Sequence, residues 1–150
     1  MPLPPPELPE VDPARAGAMV GVPSGPGMGG IPEYLGIRNV EATPGLFVAE
    51  VDVREDLLNP FGALHGGVLS AVADHVLGAV VYTVVERGYW AATTEFKINF
   101  LAPVRTGQVR AEAAIISLSR RTAVVRIDMV NEGRAVAAAQ GTVTIVAPRT

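Results

Sequence analysis

The chain has no cysteine and only two histidines, His65 and His75. Without thiols there can be no disulfide scaffold, thiolate nucleophile or thiolate metal site. Two imidazoles are few for a zinc centre, so we expect no metal site and no separate cofactor. The chemistry of this protein is therefore expected to use other groups.

Basic residues are also scarce, because 12 lysines and arginines face 15 acidic residues in a chain of net charge −3. The absence of a general basic face argues against a nucleic-acid partner. The first seven residues have neither the basic nor the apolar segment of a secretory signal, so a cytoplasmic location is the default expectation.

The composition, with 49% hydrophobic residues over 150 positions, is typical of one globular domain. Residues 1–30 contain most of the prolines, which favours a flexible N-terminal arm with one short helical turn around residues 12–20. We therefore expect an arm over 1–30 and a folded domain over 31–150.

Apolar periodicity predicts two strands, one long helix and four further strands. The helix is expected to begin at Gly66 or Gly67 and to reach about Val85, with Gly88 as its C-terminal cap. The predicted strands are 35–41, a segment following Pro44-Gly45, 94–100, 109–118, 121–130 and 134–146.

Short turns between strands indicate antiparallel neighbours, so this order predicts a two-layer α+β domain in which a curved antiparallel sheet packs on one buried helix. Residues 66–85 have the length of a membrane span, but Asp74 and His75 lie at the centre and glycines dilute the segment. We expect a buried central helix and no membrane partner. Open sheet edges favour self-association.

The most informative stretch runs from Asn59 through His65-Gly66-Gly67 to Asp74, the only charged residue between Gly66 and Val85. A carboxylate in apolar surroundings is costly unless it is used or satisfied. The two glycines are expected to leave free N–H donors at the helix start, about two helical turns before the carboxylate. A polarising backbone site and a carboxylate together suit attack on a carbonyl.

These residues, with the segment Phe96-Lys97-Ile98-Asn99-Phe100-Leu101-Ala102-Pro103, resemble the hotdog-fold acyl-CoA thioesterases of the phenylacetate-degradation type. The resemblance covers roughly residues 35–146. It implies a hotdog fold, with the sheet wrapped around the long helix, and hydrolysis of an acyl-CoA to a free acid and coenzyme A. It also implies a dimer of dimers with shared active sites.

In this resemblance Asp74 is the nucleophile or the general base that activates water, and these two roles stay open. The Gly66 N–H polarises the thioester carbonyl, Asn59 and His65 shape the site, and Thr93 assists. Asn59, His65 and Gly66 come from one subunit and Asp74 from the other.

Several residues keep a plainer interpretation beside the functional one. Asp74 can be a carboxylate satisfied by neighbours, Gly67 part of a tight junction, and Thr93 an ordinary strand residue. Asn59 can cap the loop, since Asn-Pro is also a plain turn signal, and His65 can orient the loop. His75 is expected to pack, because neighbouring helix positions point about 100° apart. Three arginines at turns are either solvated or bind coenzyme A phosphates: Arg105, Arg120 and Arg121.

Two rival functions are a non-catalytic acyl-CoA-binding module and a hotdog enoyl-CoA hydratase. A hydratase needs a spaced Asp and His that converge on one substrate, whereas this chain offers the adjacent Asp74 and His75. A related branch acting on aromatic thioesters has Glu at position 74 and Thr one turn later, where this chain has Asp74 and Gly78. This departure favours the phenylacetate type and leaves the acyl group open.

Overall fold

The computed structural model describes residues 4–21 and 30–149, which form six strands, three α-helices and two 3-10 turns. The 3-10 turns are Glu55–Leu57 and Val80–Thr83. The helices are α1 (Pro13–Gly17), α2 (Ile31–Leu35) and α3 (Gly66–Ala79). The strands are β1 (Arg38–Thr43), β2 (Leu46–Asp52), β3 (Trp90–Phe100), β4 (Gln108–Leu118), β5 (Thr122–Asn131) and β6 (Arg134–Val146).

The six strands form one antiparallel sheet in the order β1-β2-β4-β5-β6-β3. The β5–β6 hairpin closes over Glu132 and Gly133, whose φ angles of 49° and 79° match the two left-handed positions of a tight turn. The predicted α+β hotdog architecture, one long helix against an antiparallel sheet, is confirmed.

Helix α3 supplies the centre of the core. Its inward side carries six buried aliphatic residues at helical spacing: Val68, Leu69, Val72, Ala73, Val76 and Leu77. Opposite them lie inward residues of the sheet, including Phe47, Val125 and Ile127, which are fully buried. Within the described residues, Gly66–Thr83 is long and apolar enough to cross a membrane, and 44% of it is buried here. A core helix meets the same criterion, and this one packs on the sheet.

The helix ends earlier than predicted. The α-helical part stops at Ala79, a 3-10 turn follows over Val80–Thr83, and Gly88 lies in the loop beyond rather than at the cap. The residues from Val80 onward are rich in β-branched side chains, which crowd a helix. Thr83 also holds the tighter turn, because its Oγ1 donates to Val80 O (2.6 Å) and accepts from Gly45 N (2.9 Å).

The first strand begins later than predicted, since Leu35 belongs to α2. Gly36, with a φ of 71°, ends that helix in the left-handed conformation, and β1 starts at Arg38. Strand β3 instead begins four residues before the predicted Thr94 and carries a bulge between Thr93 and Glu95. Periodicity therefore located both strands but not the residue at which each begins.

Helix α3 and strand β3 run in opposite directions across the molecule. The ring of Phe100 packs against Gly66 at the helix start, while Tyr82 Oη, beyond the helix end, accepts from Ala91 N (3.1 Å). We call the side of the sheet where β3 ends and β4 begins the Phe100 end, and the side where β3 begins the Trp90 end. Helix α3 thus begins at the Phe100 end.

The described part of the predicted arm, residues 4–21, contacts the domain. Ala16 is fully buried, and the Arg15 guanidinium donates to Val85 O. Met19 O accepts from Asn39 Nδ2 (3.3 Å), and Gly21 N donates to Asn39 O (3.1 Å). The division into 1–30 and 31–150 stays a prediction, and residues 1–3 and 22–29 lie outside the described residues.

The two edges of the sheet differ. Strand β1 has six residues and bonds the arm through Asn39. Strand β3 has eleven residues, and its only strand partner within the described part of the chain is β6. A long open edge is a surface on which another strand can pair.

Candidate active site

His65 caps α3. Its backbone is extended (φ −62°, ψ 134°), and its Nδ1 accepts a hydrogen bond from Gly67 N (2.8 Å). A ring nitrogen that accepts carries no proton, so a neutral imidazole here has its proton on Nε2. The imidazole therefore serves as the helix cap, which agrees with an orienting role for His65.

The backbone N–H of Gly66 is the first of the helix, and it has no acceptor among residues 4–21 and 30–149. The sequence predicted free donors at both glycines, but this is wrong for Gly67, whose N–H is bonded to His65. Gly66 alone therefore offers an available N–H at the positive end of the helix dipole.

Limited space rather than backbone angle favours both glycines, since neither has a positive φ and each is in tight contact with a side chain. A Cβ on Gly66 would lie 3.0 Å from Cζ of Phe100. A Cβ on Gly67 would lie 3.0 Å from the His65 Nδ1 that accepts its N–H. Side chains at these positions would disturb the ring beside the donor or the cap that fixes it.

Asn59 organises the loop before the helix. Its Oδ1 accepts from Phe61 N (2.9 Å) and Ala63 N (3.2 Å), so the side chain caps its own turn, as one sequence interpretation expected. Its Nδ2 donates to no residue that the structure describes. Asn59 is half-buried beside the helix start, and this leaves one amide donor for another group.

Arg105 lies in the loop between β3 and β4 and contacts the turn that Asn59 caps. Its Nη1 donates to Phe61 O (3.0 Å) and to Gly62 O (3.1 Å). These bonds tie the start of β4 to the turn that Asn59 caps. The structure thus gives Arg105 a positioning contact, and binding of substrate by Arg105 stays a prediction.

A groove of about 350 Å³ opens at the helix start. It is lined by Asn59, Gly66 and mainly apolar residues, among them Leu69, Phe100 and Val104. Small-molecule sites commonly combine apolar walls with a few polar groups. Sequence reasoning missed Phe100 and Leu69 as groove walls. No signal in the sequence places Phe100 there, because it lies 34 positions from Gly66 and only packing brings the two together.

Asp74 lies eight residues beyond Gly66 on the same helix. At a rise of about 1.5 Å per residue, the two are separated by about 12 Å along the axis. The side chain is exposed and makes no hydrogen bond or ion pair with any described residue. The sequence predicted apolar surroundings for this carboxylate, but its own chain leaves it exposed to water.

His75, next to Asp74, packs as expected. Its Nε2–H donates to Asn39 Oδ1 (3.1 Å), and its ring meets Phe47 edge-on at 6.2 Å. Burial lowers the pKa of His75, and the nearby Asp74 carboxylate partly opposes this effect. The imidazole is thus committed to the junction of α3 and β1, which disfavours an Asp–His pair of the hydratase kind.

The remaining predicted residues do not gather around Gly66 in one chain. Thr93 is exposed on the open strand β3, paired with Val143. Arg120 and Arg121 lie between β4 and β5 at the Trp90 end. The length of β4 separates them from Arg105 by about 33 Å, so the three arginines form no common site within one chain.

The model of the thioesterase superfamily matches residues 61–138. The chain is 32% identical to the 1,4-dihydroxy-2-naphthoyl-CoA hydrolase of Listeria monocytogenes over 69% of its length and 84% of that protein. It is 26% identical to acyl-coenzyme A thioesterase 13 of Homo sapiens, over 70% of this chain and 75% of that one.

Among solved structures, a mutant of the phenylacetic acid degradation protein PaaI from Thermus thermophilus superposes with a TM-score of 0.69. It is 37% identical, and the match covers 75% of this chain and 96% of that one. The matched family segment contains the helix start, Asp74 and every groove residue except Asn59. The chain therefore belongs to the thioesterase superfamily, with the hotdog fold, and is a thioester hydrolase.

Proposed function

We propose that this protein hydrolyses an acyl- or aryl-CoA thioester to a free acid and coenzyme A, using Gly66 of one subunit and Asp74 of another. The observation that carries the proposal is the available Gly66 N–H beside an apolar groove, on the helix that also presents a single exposed carboxylate. Relatives named as hydrolases of CoA thioesters support the substrate class.

The separation of about 12 Å between Gly66 and Asp74 favours a site shared by two chains. If two α3 helices pack antiparallel about a two-fold axis, Gly66 of one lies level with Asp74 of the other when the axis passes the midpoint, Ser70. The face of α3 that points away from its own core carries small residues, and these would let two helices approach closely: Gly67, Ser70, Ala71 and Gly78.

The open edge of β3 supports the same arrangement. Two β3 strands that pair antiparallel would extend the sheet and remove both long edges. We propose that this dimer builds the sites and that two dimers associate into a tetramer. In such an assembly the partner helix would shield Asp74 from solvent, which a single chain does not do.

In the proposed reaction the thioester oxygen first accepts a hydrogen bond from the Gly66 N–H. This hydrogen bond stabilises the negative charge that develops on the oxygen. As a general base, Asp74 takes a proton from water while the water oxygen attacks the carbonyl carbon. Collapse of the tetrahedral intermediate breaks the C–S bond, and the proton passes to the departing thiolate.

As a nucleophile, the Asp74 carboxylate would instead displace the thiolate and form a mixed anhydride, which water then hydrolyses. Either route releases an acid and coenzyme A, and neither requires a cofactor outside the substrate. Asn59 Nδ2 is proposed to bind substrate or water, His65 to hold the helix start, and Thr93 to assist the water. Gly67 contributes by accommodating the cap.

The experiment that tests this proposal is thiol release from a panel of acyl-CoA thioesters by the wild type, Asp74→Asn and Glu112→Gln. Glu112 is an exposed carboxylate on β4, away from α3, and serves as a matched control. We expect kcat to fall by at least about a hundredfold in Asp74→Asn, the scale of general-base catalysis, and to be retained in the control.

Equal turnover by the wild type and Asp74→Asn would remove Asp74 from the chemistry. Tight acyl-CoA binding by a wild type that releases no thiol from any member of the panel would instead support the binding-module alternative. The best substrate of the panel would identify the acyl class.

A further inference from the structure

Gly141 of β6 lies unusually close to strand β3. A Cβ at this position would lie 2.5 Å from the backbone oxygen of Glu95, 2.5 Å from Cβ of Phe96 and 3.0 Å from Cα of Phe96. Gly141 and Phe96 are directly paired, and the Cβ atoms of such residues are ordinarily about 4.5–5.5 Å apart. Gly141 has no positive φ, so its backbone angles do not call for glycine. Glycine is therefore needed here because β3 takes the space of a side chain.

The close approach lies next to the bulge of β3. Thr93 and Glu95, on either side of Thr94, pair with consecutive residues of β6. Thr94 is therefore an extra residue, which a regular pairing of the two strands would not accommodate. The next pair along the strands is Phe96 with Gly141. The missing side chain of Gly141 thus provides room beside the point at which β3 bends around its extra residue.

The bulge decides which side of the sheet Thr93 faces. Thr93 pairs with Val143, which is fully buried against the core, and directly paired residues lie on the same side of a sheet. Thr93 therefore lies on the helix-facing side, with Phe96, which packs on the core. Thr94 lies on the outer side, where its Oγ1 is 2.8 Å from Oγ1 of Thr144. In a regular strand, alternation from Phe96 would place Thr94 rather than Thr93 on the helix-facing side.

We propose that Gly141 is a positioning residue for the active site, because it leaves room for the bulge that holds Thr93 on the helix-facing side of β3. A side chain at position 141 would push Glu95 and Phe96 away, or would move the bulge toward the start of the strand. A bulge moved past Thr93 would turn its hydroxyl to the outer side of the sheet, away from α3. Bulges beside active sites commonly set the direction of a side chain in this way.

This inference rests on the proposed function, in which Thr93 assists the attacking water. Thr93 is exposed, and β3 is the open edge at which the proposed dimer pairs. Its hydroxyl therefore lies at the proposed boundary between subunits, on the side of the sheet that also carries α3 and Asp74. Gly141 is buried in the neighbouring strand β6, so it affects this boundary only through β3.

A double-mutant cycle tests whether Gly141 acts through Thr93. The kinetic constants kcat and KM are measured for Gly141→Ala, for Thr93→Val and for the combination, with the acyl-CoA that the wild type hydrolyses fastest. We expect each single substitution to lower kcat by about tenfold, the scale of one lost hydrogen bond to a reacting group. The combination should lower kcat little further, because both changes remove the same contact. Effects that multiply to about a hundredfold would overturn the inference, since a purely structural defect is independent of Thr93.

Thr94→Val is the matched control, because it removes the neighbouring hydroxyl from the outer side of the same strand. Its kcat should stay within about twofold of the wild type, as for most exposed substitutions. A fall in kcat equal to that of Thr93→Val would overturn the inference, since the bulge would then not select between the two hydroxyls. Wild-type kcat in Gly141→Ala would overturn it as well.

A second measurement requires neither activity nor a folded Gly141→Ala protein. Because the chain has no cysteine, an introduced pair can be followed by the mass change on oxidation. Thr94→Cys with Thr144→Cys should form a disulfide, since these two side chains meet on the outer side of the sheet. Thr93→Cys with Thr144→Cys should not, because these side chains lie on opposite sides and cannot be bridged. The reverse result would place Thr93 on the outer side and overturn the inference.

Failure of the proposed function can be distinguished from failure of this inference. If the wild type releases no thiol from any acyl-CoA, hydrolysis is rejected. The yield of the disulfide between positions 94 and 144 is then compared with and without Gly141→Ala. A lower yield in the Gly141→Ala protein supports the positioning of the bulge by Gly141, and an unchanged yield rejects it.

Discussion

The two ends of the sheet use their polar groups in different ways. At the Phe100 end, the Nη1 of Arg105 and the Oδ1 of Asn59 are hydrogen-bonded to the loop. Two neutral donors there have no partner among the described residues, the N–H of Gly66 and the Nδ2 of Asn59. At the Trp90 end, the side chains of Arg120 and Arg121 make no hydrogen bond or ion pair with any residue that the structure describes, and no described carboxylate lines the cavity of about 560 Å³ beside them. One end is suited to a neutral carbonyl and the other to an anion.

This difference matters because an acyl-CoA carries both kinds of group. A carbonyl needs one accurately placed donor in apolar surroundings, since its charge appears only during reaction. Phosphates are charged throughout and tolerate solvent, so exposed arginines can bind them. In the proposed dimer the two ends would face each other across the subunit boundary, with Asp74 between them.

The largest effect is expected at the Phe100 end from Gly66→Ala. The new Cβ would lie 3.0 Å from the Phe100 ring and would displace either the ring or the N–H donor. Loss of one oxyanion donor commonly lowers kcat by about a hundredfold to a thousandfold, and we expect a fall on this scale. Thiol-release kinetics with circular dichroism would measure it.

Gly17→Ala is the matched control, since a Cβ there has no neighbour within 4 Å and α1, which lies outside the proposed helix contact, gains a better helix former. Its melting temperature should be equal to or higher than that of the wild type. A Gly66→Ala protein with wild-type kcat would show that the N–H is not the polarising donor.

A second prediction tests whether Gly66 of one subunit and Asp74 of another form one active site. Gly66→Ala and Asp74→Asn subunits, each almost inactive, are unfolded, mixed in equal amounts and refolded. Half of the resulting dimers are mixed, and each mixed dimer contains one intact site, so activity should recover to about a quarter of the wild-type value. Each variant refolded alone is the control. Recovery no greater than the sum of the two controls would contradict a shared site.

The smallest expected effect is on the pH dependence of stability and comes from His75, which lies on α3 between the two ends. Because burial lowers its pKa, the unfolded chain binds a proton near pH 6.5 that the folded chain does not. The free energy of unfolding should therefore fall as the pH drops below about 6.5, by at most about 1.4 kcal/mol per pH unit. Above that pH the imidazole is neutral in both states and contributes no slope.

In His75→Gln this part of the slope should disappear, while an amide N–H can still donate to Asn39 Oδ1. Urea unfolding at pH 7.5 and pH 5.5 would measure the difference between the two proteins. An identical fall in both would mean that another group causes the acid sensitivity.

Much of the fold could be predicted, because the relevant signals are local. The alternation in β6 correctly delimits Arg134–Val146, and the Gly66 start of α3 follows from the glycine pair after an apolar loop. The ends of α3 and β1 could not be read in the same way. They depend on the bond from Gly45 N to Thr83 and on the left-handed Gly36, which are tertiary and conformational details.

Some features of the candidate site could likewise be predicted from the sequence, and others could not. The motif indicated which residues to examine, and the capping role of Asn59 was among the interpretations offered. The occupation of the Gly67 N–H by His65 was not predicted, because a side chain at the N-cap can point to solvent or to the helix. The same holds for the contact of Phe100 with Gly66, which brings together residues 34 positions apart.

By itself, the sequence determined the antiparallel α+β architecture, the family resemblance and the single carboxylate of α3, since these depend on residue type and on spacing along the chain. Tertiary structure decided that the Phe100 ring lies against Gly66 and which arginines are left unengaged among the described residues. Those properties depend on distances between segments remote in sequence, and only packing sets such distances.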